Sequence, residues 1–193
     1  MYKNNIRKLI QNLRFYQKFI FPNYRRLRTG KISYKSTLKI DQYTLCSGKG
    51  IVSIGKNCAF GYKIGGFNRG GSVELQARYV NSEINIGDNV STNNNIFILA
   101  ANFIEIGNDT LIGQNVVIMD HEAHGISPLN RRQVGEIGKV IIGQNVWIGN
   151  NVTVLKNSEI GDNSIIAVGA VVNGVFPKNV IIGGIPAKII KSI

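Results

Sequence analysis

The sequence predicts an all-β solenoid in which short parallel strands wind into triangular coils. The first observation is a six-residue beat: Ile142, Ile148, Val154, Ile160, Ile166 and Val172 fall at equal steps. Six is neither the period of a helix nor that of a plain strand. The second is the company the apolar residue keeps: Ile142-Gly143-Gln144-Asn145, Ile148-Gly149-Asn150-Asn151 and Ile160-Gly161-Asp162-Asn163. Gly and Asn tolerate positive φ and tight corners. Each beat therefore reads as one short strand plus one corner, and three beats as one coil. The apolar residue points inward onto its counterparts above and below.

Three segments are expected: a basic helix and linker over 1–37, the solenoid over 38–184, and a cap over 185–193. In the first, Ile6, Leu9, Ile10, Leu13, Tyr16 and Ile20 make one helical stripe, flanked by Lys3, Arg7, Lys8, Arg14 and Lys18. Pro22 is expected to end the helix, leaving Arg25, Arg26, Arg28 and Lys31 in a polar linker. The net charge is +12, and eleven of the 23 Lys and Arg residues precede residue 40. Two readings of this helix stay open. It caps the end of the solenoid, as repeat folds require, or residues 1–28 lie on an anionic membrane surface with Phe15, Phe19 and Phe21 at the interface. Nucleic acid is not an expected partner, because no reader signature accompanies the charge.

Within the solenoid the beat is irregular at first. Ile54-Gly55-Lys56-Asn57 and Ile64-Gly65 read as units, and Phe67 to Gly71 as a corner loop. Cys46 and Cys58, on the step that holds Val52 and Ile64, read as small buried apolar residues of one stacked column and not as a disulfide framework. The pattern firms at Ile86-Gly87-Asp88-Asn89, continues at Ile98 and Ile104, and shifts by two residues at Ile106 before Ile112 and Ile118. It stops over His121–Lys139, a polar excursion of the kind that usually carries function. It resumes at Val140 and runs to about Ile182, and Ile185 to Lys191 reads as a short helical turn on the last coil. About eight coils are expected. No apolar run reaches the length of a membrane span and no signal-peptide pattern opens the chain. The expected location is the cytoplasm, with peripheral attachment at the inner face of the membrane if the helix binds lipid.

These segments resemble the hexapeptide-repeat acyltransferases, whose fold is a left-handed parallel β-helix. The nearest group holds the galactoside, maltose and chloramphenicol-type acetyltransferases and the polysaccharide O-acetyltransferases. The resemblance rests on Ile86–Ile118, on Asp120-His121-Glu122-Ala123-His124-Gly125-Ile126, and on Val146-Trp147-Ile148-Gly149 through to Gly183-Gly184-Ile185-Pro186-Ala187-Lys188. It implies acetyl-CoA as acyl donor, a homotrimer, and transfer to a sugar hydroxyl, in a bacterial surface polysaccharide or its precursor. The alternatives are N-acetylation of an amino sugar or antibiotic, a non-catalytic solenoid, and a zinc enzyme like the carbonic anhydrases of this fold. Those use three histidines per metal, whereas this chain has two, so no metal is expected.

Acyl transfer to a hydroxyl needs a base, donors for the oxyanion and a fixed geometry. Both histidines, His121 and His124, open the excursion, and imidazole titrates near neutrality. The resemblance places the base just before Gly, favouring His124 over His121. Asp120 or Glu122 is positioned to orient an imidazole, with Glu122 a further candidate for the acceptor. Direct transfer is expected, since neither cysteine lies in the loop and no serine nucleophile motif occurs. Asn93 matches a family asparagine that contacts the acceptor, while Ala101 stands where relatives carry Asp, implying a different acceptor. For CoA the resemblance implies Gly149, Asn150, Val168, Asn173, Lys188 and Lys191, with the two lysines on the phosphates; many relatives carry Lys where Gly174 stands. Trp147 is expected on the coil flank, shaping the acceptor or CoA cleft.

Overall fold

The computed structural model describes residues 2–35 and 38–193, with side chains from residue 5 onward. The side chain of Lys3, and residues 36 and 37 at the expected segment boundary, lie outside the described residues. The amphipathic helix forms, but Pro22 does not end it. Helix α1 (Tyr2–Phe15) passes through a π-helical turn, Tyr16–Ile20, into α2 (Phe21–Arg28). In that turn the Phe21 N–H reaches back to the Tyr16 carbonyl. Pro22 then falls in the first turn of α2, where a missing N–H is harmless. The expected polar linker is therefore largely helical.

The coils come next. The first contains β1 (Ile32–Tyr34), β2 (Lys39–Ile40) and β3 (Tyr43–Ser47); the second, β4 (Ile51–Ile54), β5 (Ala59–Phe60) and β6 (Ser72–Ala77). The third contains β7 (Glu83–Ile86), β8 (Ser91–Thr92) and β9 (Ile96–Ala100); the fourth, β10 (Phe103–Ile106), β11 (Leu111–Ile112) and β12 (Val117–Met119). The fifth contains β13 (Lys139–Ile142), β14 (Trp147–Ile148) and β15 (Thr153–Val154); the sixth, β16 (Ser158–Ile160), β17 (Ile165–Ile166) and β18 (Val171–Val172). A seventh begins with β19 (Val175–Phe176) and β20 (Val180–Gly184), and β21 (Ala187–Ser192) returns antiparallel to β20. The first, second and third strands of successive coils pair in parallel, forming three faces.

The solenoid thus begins at Ile32 and has six complete coils rather than eight. The difference comes from two corner excursions that consume chain without adding strands, over 61–71 and 120–138. Ile64 lies in the first of these and is 84% exposed, so it is not a unit of the beat. The two-residue shift before Ile106 sits at Ala101–Asn102, between β9 and β10. The end of the chain is a strand, not a helical turn.

The core is one apolar stack. Ile84 sits over Val52 and under Ile104 and Val140, and all are fully buried. Cys46 and Cys58 are buried as expected, but on different faces: Cys46 is in β3, and Cys58 precedes β5. Six residues advance one face, so positions twelve apart do not share a column. Burial pushes the Cys46 thiol up to about 12, and raises that of Cys58 too.

The helix caps the first coil through its later half. Phe19 is fully buried, and Asn23, 2% exposed, bridges to β3. Its amide donates to the Phe19 and Thr44 carbonyls, both at 2.8 Å, and its Oδ1 accepts the Cys46 N–H at 2.7 Å. Arg26 adds bonds to the Gly48 and Gly50 carbonyls. No helix among the described residues is long and apolar enough to cross a membrane.

Three substitutions test this division of the helix. Phe19→Ala should lower unfolding stability by about 3–5 kcal/mol through the cavity it leaves, and Asn23→Ala by about 2–3 kcal/mol through unsatisfied buried groups. Leu9→Ala, at an exposed site, should change it by less than about 0.5 kcal/mol in the same urea titration. Equal effects at Leu9 and Phe19 would show that the whole helix is packed.

Candidate active site

The excursion leaves the corner between the third and first faces after β12 and returns at β13. It is an antiparallel ribbon rather than a loose loop. The Glu122 N–H donates to the Glu136 carbonyl at 2.9 Å, the Gly135 N–H to Glu122 at 3.1 Å, and the Gly138 N–H to Asp120 at 2.7 Å. A short 3-10 turn, Pro128–Asn130, makes the tip. Gly125 sits where a Cβ would come within 2.4 Å of the Asn130 carbonyl oxygen, so the ribbon closes only on glycine there.

At its base lies a buried polar unit. The Asp120 carboxylate accepts the Ala101 N–H at 2.7 Å, the Asn102 N–H at 2.8 Å and the His121 ring at 2.9 Å. The other nitrogen of His121, Nε2, is 2.9 Å from the Arg78 guanidinium. A guanidinium only donates, so Nε2 accepts and Nδ1 carries the proton toward Asp120. The His121 side chain is fully buried with both nitrogens engaged. With Nε2 accepting and Nδ1 donating, it has no lone pair to offer.

His124 differs in each respect. It is exposed, and its Nδ1 lies 3.0 Å from the Arg131 carbonyl oxygen. A carbonyl only accepts, so Nδ1 holds the proton and the Nε2 lone pair is left for a ligand. The Asp120–His121–Arg78 unit anchors the base of the ribbon that carries His124. Glu122, expected near the acceptor, is turned to the next coil: its carboxylate meets Lys156 at 3.4 Å and the Glu136 N–H at 3.3 Å.

The remaining expected residues lie elsewhere on the triangle. Asn93, Gly149, Asn150 and Val168 stack along the corner between the second and third faces. There the Gln114 N–H donates to Asn150 Oδ1 at 2.8 Å, but the next residue up is Val168, which offers the Asn150 N–H no side-chain acceptor. Gly149 approaches Val168 so closely that a Cβ would meet its nitrogen at 2.8 Å. Beside this corner is a groove of about 370 Å3 lined by Tyr62, Asn93, Leu111, Trp147 and Asn150, among others. Trp147 stands 55% exposed on the outer side of β14, between Leu111 and Ile165 of adjacent coils. Lys188 and Lys191 are exposed on β21, and Asn173 is exposed at the same corner as the excursion. In one chain, then, the structure gathers Asp120, His121, Glu122 and His124 at one corner, and Asn93, Trp147, Gly149, Asn150 and Val168 at another.

Arg78, Asn94 and Lys156 were not singled out by the sequence. Asn94 is fully buried and holds the 61–71 excursion through Tyr62 and Gly66. Its neighbour Asn93 accepts the Asn94 N–H at 2.8 Å. An asparagine in a run of three gave no hint which one turns inward. Among the described residues no group of three or more His, Cys, Asp or Glu is placed to hold a metal ion.

Known proteins share this architecture. Residues 139–174 match the family model for bacterial transferase hexapeptide (six repeats). WbbJ of Escherichia coli K12, provisionally named a lipopolysaccharide biosynthesis O-acetyl transferase, is 38% identical over 65% of this chain and 68% of its own length. This chain belongs to the hexapeptide-repeat transferase family. The galactoside O-acetyltransferase of Escherichia coli K12 is 36% identical over 58% of this chain, but the match spans only 55% of that enzyme. Among solved structures, a Bacillus cereus protein provisionally named an acetyltransferase superposes with TM-score 0.61 at 18% identity over 86% of this chain and 80% of its own. The Bacillus cereus N-acyltransferase AntD gives 0.62 at 17% identity over 87% of each chain. The hexapeptide-transferase fold, a left-handed parallel β-helix, is the one seen here.

The ribbon's hold on the fifth coil is titratable. Lys156 meets Glu136 at 2.5 Å and Asn157 donates to the same carboxylate at 3.1 Å. The hydrogen bond from Lys156 holds the Glu136 carboxyl below its ordinary value of 4.5, and that bond holds the Lys156 ammonium above 10.5. A lowered acid stabilises above its unfolded value and loses that contribution as pH falls through the folded one; a raised base loses it as pH rises through its folded value. Hydrogen-exchange protection at Gly135 and Gly138 should therefore be flat between these limits and fall on either side. Glu136→Gln should remove the acid limb, and an unchanged profile in that variant would assign the protection elsewhere.

Proposed function

We propose that this chain is an acetyl-CoA-dependent O-acetyltransferase that acetylates a sugar hydroxyl of a bacterial surface polysaccharide or its precursor. The observation that carries the reading is the tautomer of His124, pinned at Nδ1 by the Arg131 carbonyl with Nε2 left open. Nε2 takes the acceptor's proton as its oxygen attacks the thioester carbonyl, giving a tetrahedral oxyanion. Collapse breaks the C–S bond, and the imidazolium returns the proton to the departing CoA thiolate. Transfer is direct: Cys46 is buried with its thiol pushed up to about 12, and Cys58 is buried as well. His121 orients the ribbon and does not touch the substrate. The names of WbbJ and the galactoside enzyme support oxygen as the acceptor atom.

The split of the site between two corners supports a cyclic homotrimer. One protomer's Gly149–Val168 corner would face its neighbour's excursion, whose tip exposes Ile126 and Leu129. The donor would lie along that seam, with its phosphates toward Lys188 and Lys191 as point charges. Catalysis would take place in the cytoplasm, where acetyl-CoA is made.

Mixing the protein with acetyl-CoA, a panel of sugars and amino sugars, and a thiol reagent tests the activity. CoA release with a hydroxyl acceptor is expected. Release only with amino sugars would move the reading to N-acetylation, and no release, with no rise in Tm on adding acetyl-CoA, would remove it. His124→Ala should lower kcat at least about a hundredfold while the acetyl-CoA-dependent rise in Tm persists. His121→Ala should mainly lower Tm, because Arg78 and Asp120 lose a buried partner. A larger loss of kcat at unchanged Tm for His121→Ala would reverse the assignment. Separately, Lys188→Ala with Lys191→Ala should raise KM for acetyl-CoA several-fold and leave kcat within about twofold.

A further inference from the structure

The cap accounts for only half of the N-terminal helix. Phe15, Phe19 and Asn23 face the first coil, and Lys8, Gln11 and Phe15 help line a cavity of about 460 Å3 between α1 and Tyr34, Leu38 and Ile40. The opposite side of α1 and the start of the π turn carry Ile6, Leu9, Ile10, Leu13 and Tyr16 at steps of three, one, three and three residues. Their exposures run from 44% to 59%, and Phe21 and Tyr24 of α2 are exposed at 69% and 57%. Nothing among the described residues covers this stripe.

Its setting is uniformly cationic. Arg7, Arg25 and Arg28 are exposed beside it, and no Asp or Glu precedes Asp41 in the sequence. Asp41 itself is 4% exposed and already committed to Arg14, Lys39 and Lys63. An apolar stripe bordered by cations alone is poorly suited to a second copy of itself, because a two-fold contact would set the Arg and Lys side chains of one copy against those of the other. It is suited to a bilayer interface, where acyl chains take the stripe and anionic headgroups take the cations.

We propose that α1 docks in the plane of an anionic lipid surface through the face it turns away from the solenoid, with the π turn and α2 as the rigid joint. The chain would then be tethered parallel to the membrane and not inserted across it. This inference does not depend on the acetyl-transfer reading.

The test uses the full chain with sucrose-loaded vesicles, either pure phosphatidylcholine or an equal mixture with phosphatidylglycerol. The chain should sediment with the anionic vesicles, not with phosphatidylcholine alone, and should be released by high salt. A variant carrying Leu9→Glu and Leu13→Glu, both at exposed sites, should keep the wild-type Tm and bind at least about tenfold more weakly. Binding that survives these substitutions overturns the proposal, as does equal binding to both vesicle types. A change of solution mass in the variant, without vesicle binding by the wild type, would assign the stripe to self-association and overturn it equally.

Discussion

The rest of the molecule depends on a corner that turns through a single left-handed residue. Asn57, Asn89, Asp109, Asn145, Asn163 and Asn179 adopt positive φ along one corner, and Asn95, Asn115 and Asn151 along another. That conformation costs an ordinary L residue about 1–2 kcal/mol. Asparagine tolerates it and then hydrogen-bonds the equivalent side chain one coil above, as Asn145 does to Asn163 at 2.9 Å and Asn163 to Asn179 at 3.0 Å. The ladder offsets the strain locally and keeps successive coils in register, so the Ile and Val columns inside meet without slipping. Each coil is thereby supported by its two neighbours alone.

That economy explains where function can be lodged. Two corners are laddered; the third, between the third and first faces, carries no stacked amides among the described residues. An insertion there disturbs no ladder, and that is where the chain departs at Asp120 and returns at Gly138. The ribbon must then supply its own rigidity, and does so by antiparallel pairing, by the Lys156–Glu136 contact and by the buried Asp120. The same residue type thereby comes to play two parts within four positions. His121, closed in by a carboxylate and a guanidinium, is a strut. His124, held at Nδ1 by a carbonyl, is exposed and is the base we propose.

Legibility in the sequence tracks the range of the interactions. The inward Ile and Val and the corner Asn are local and periodic, so the fold and the limits of the excursion could be read to within a residue or so. The pairing of His124 with Gly125 marked the residue that we propose as the base. Contacts between distant residues left no pattern. Arg78 meets His121 across 43 residues and Asn23 meets Thr44 across 21. Ile64-Gly65 copies the local signature but falls in an excursion, where Gln42 and Asn94, not the beat, decide the path. Pro22 was a sound stop signal that the i+5 bond of the π turn absorbed. The final strand had no turn chemistry to separate it from a helical cap, and its pairing with β20 is what decided it.

The two-corner arrangement also bears on why such a chain would assemble. A triangular prism presents flat faces and convex corners, and a convex corner cannot enclose a long donor or exclude water from an oxyanion. His124 stands exposed on the ribbon at such a corner, with its Nδ1 held by the Arg131 carbonyl. Gly149, Asn150 and Val168, with the unladdered Asn150 N–H, form another such corner on the same chain. In the reading we propose, each is half of a cleft. In the trimer we propose, three identical prisms set corner against flank turn six half-clefts into three enclosed sites, with no residue added and no coil rebuilt. A solenoid suits this use because its flank is straight over many coils, long enough to line the donor from thioester to phosphates. The ribbon of the neighbour then need carry only the base.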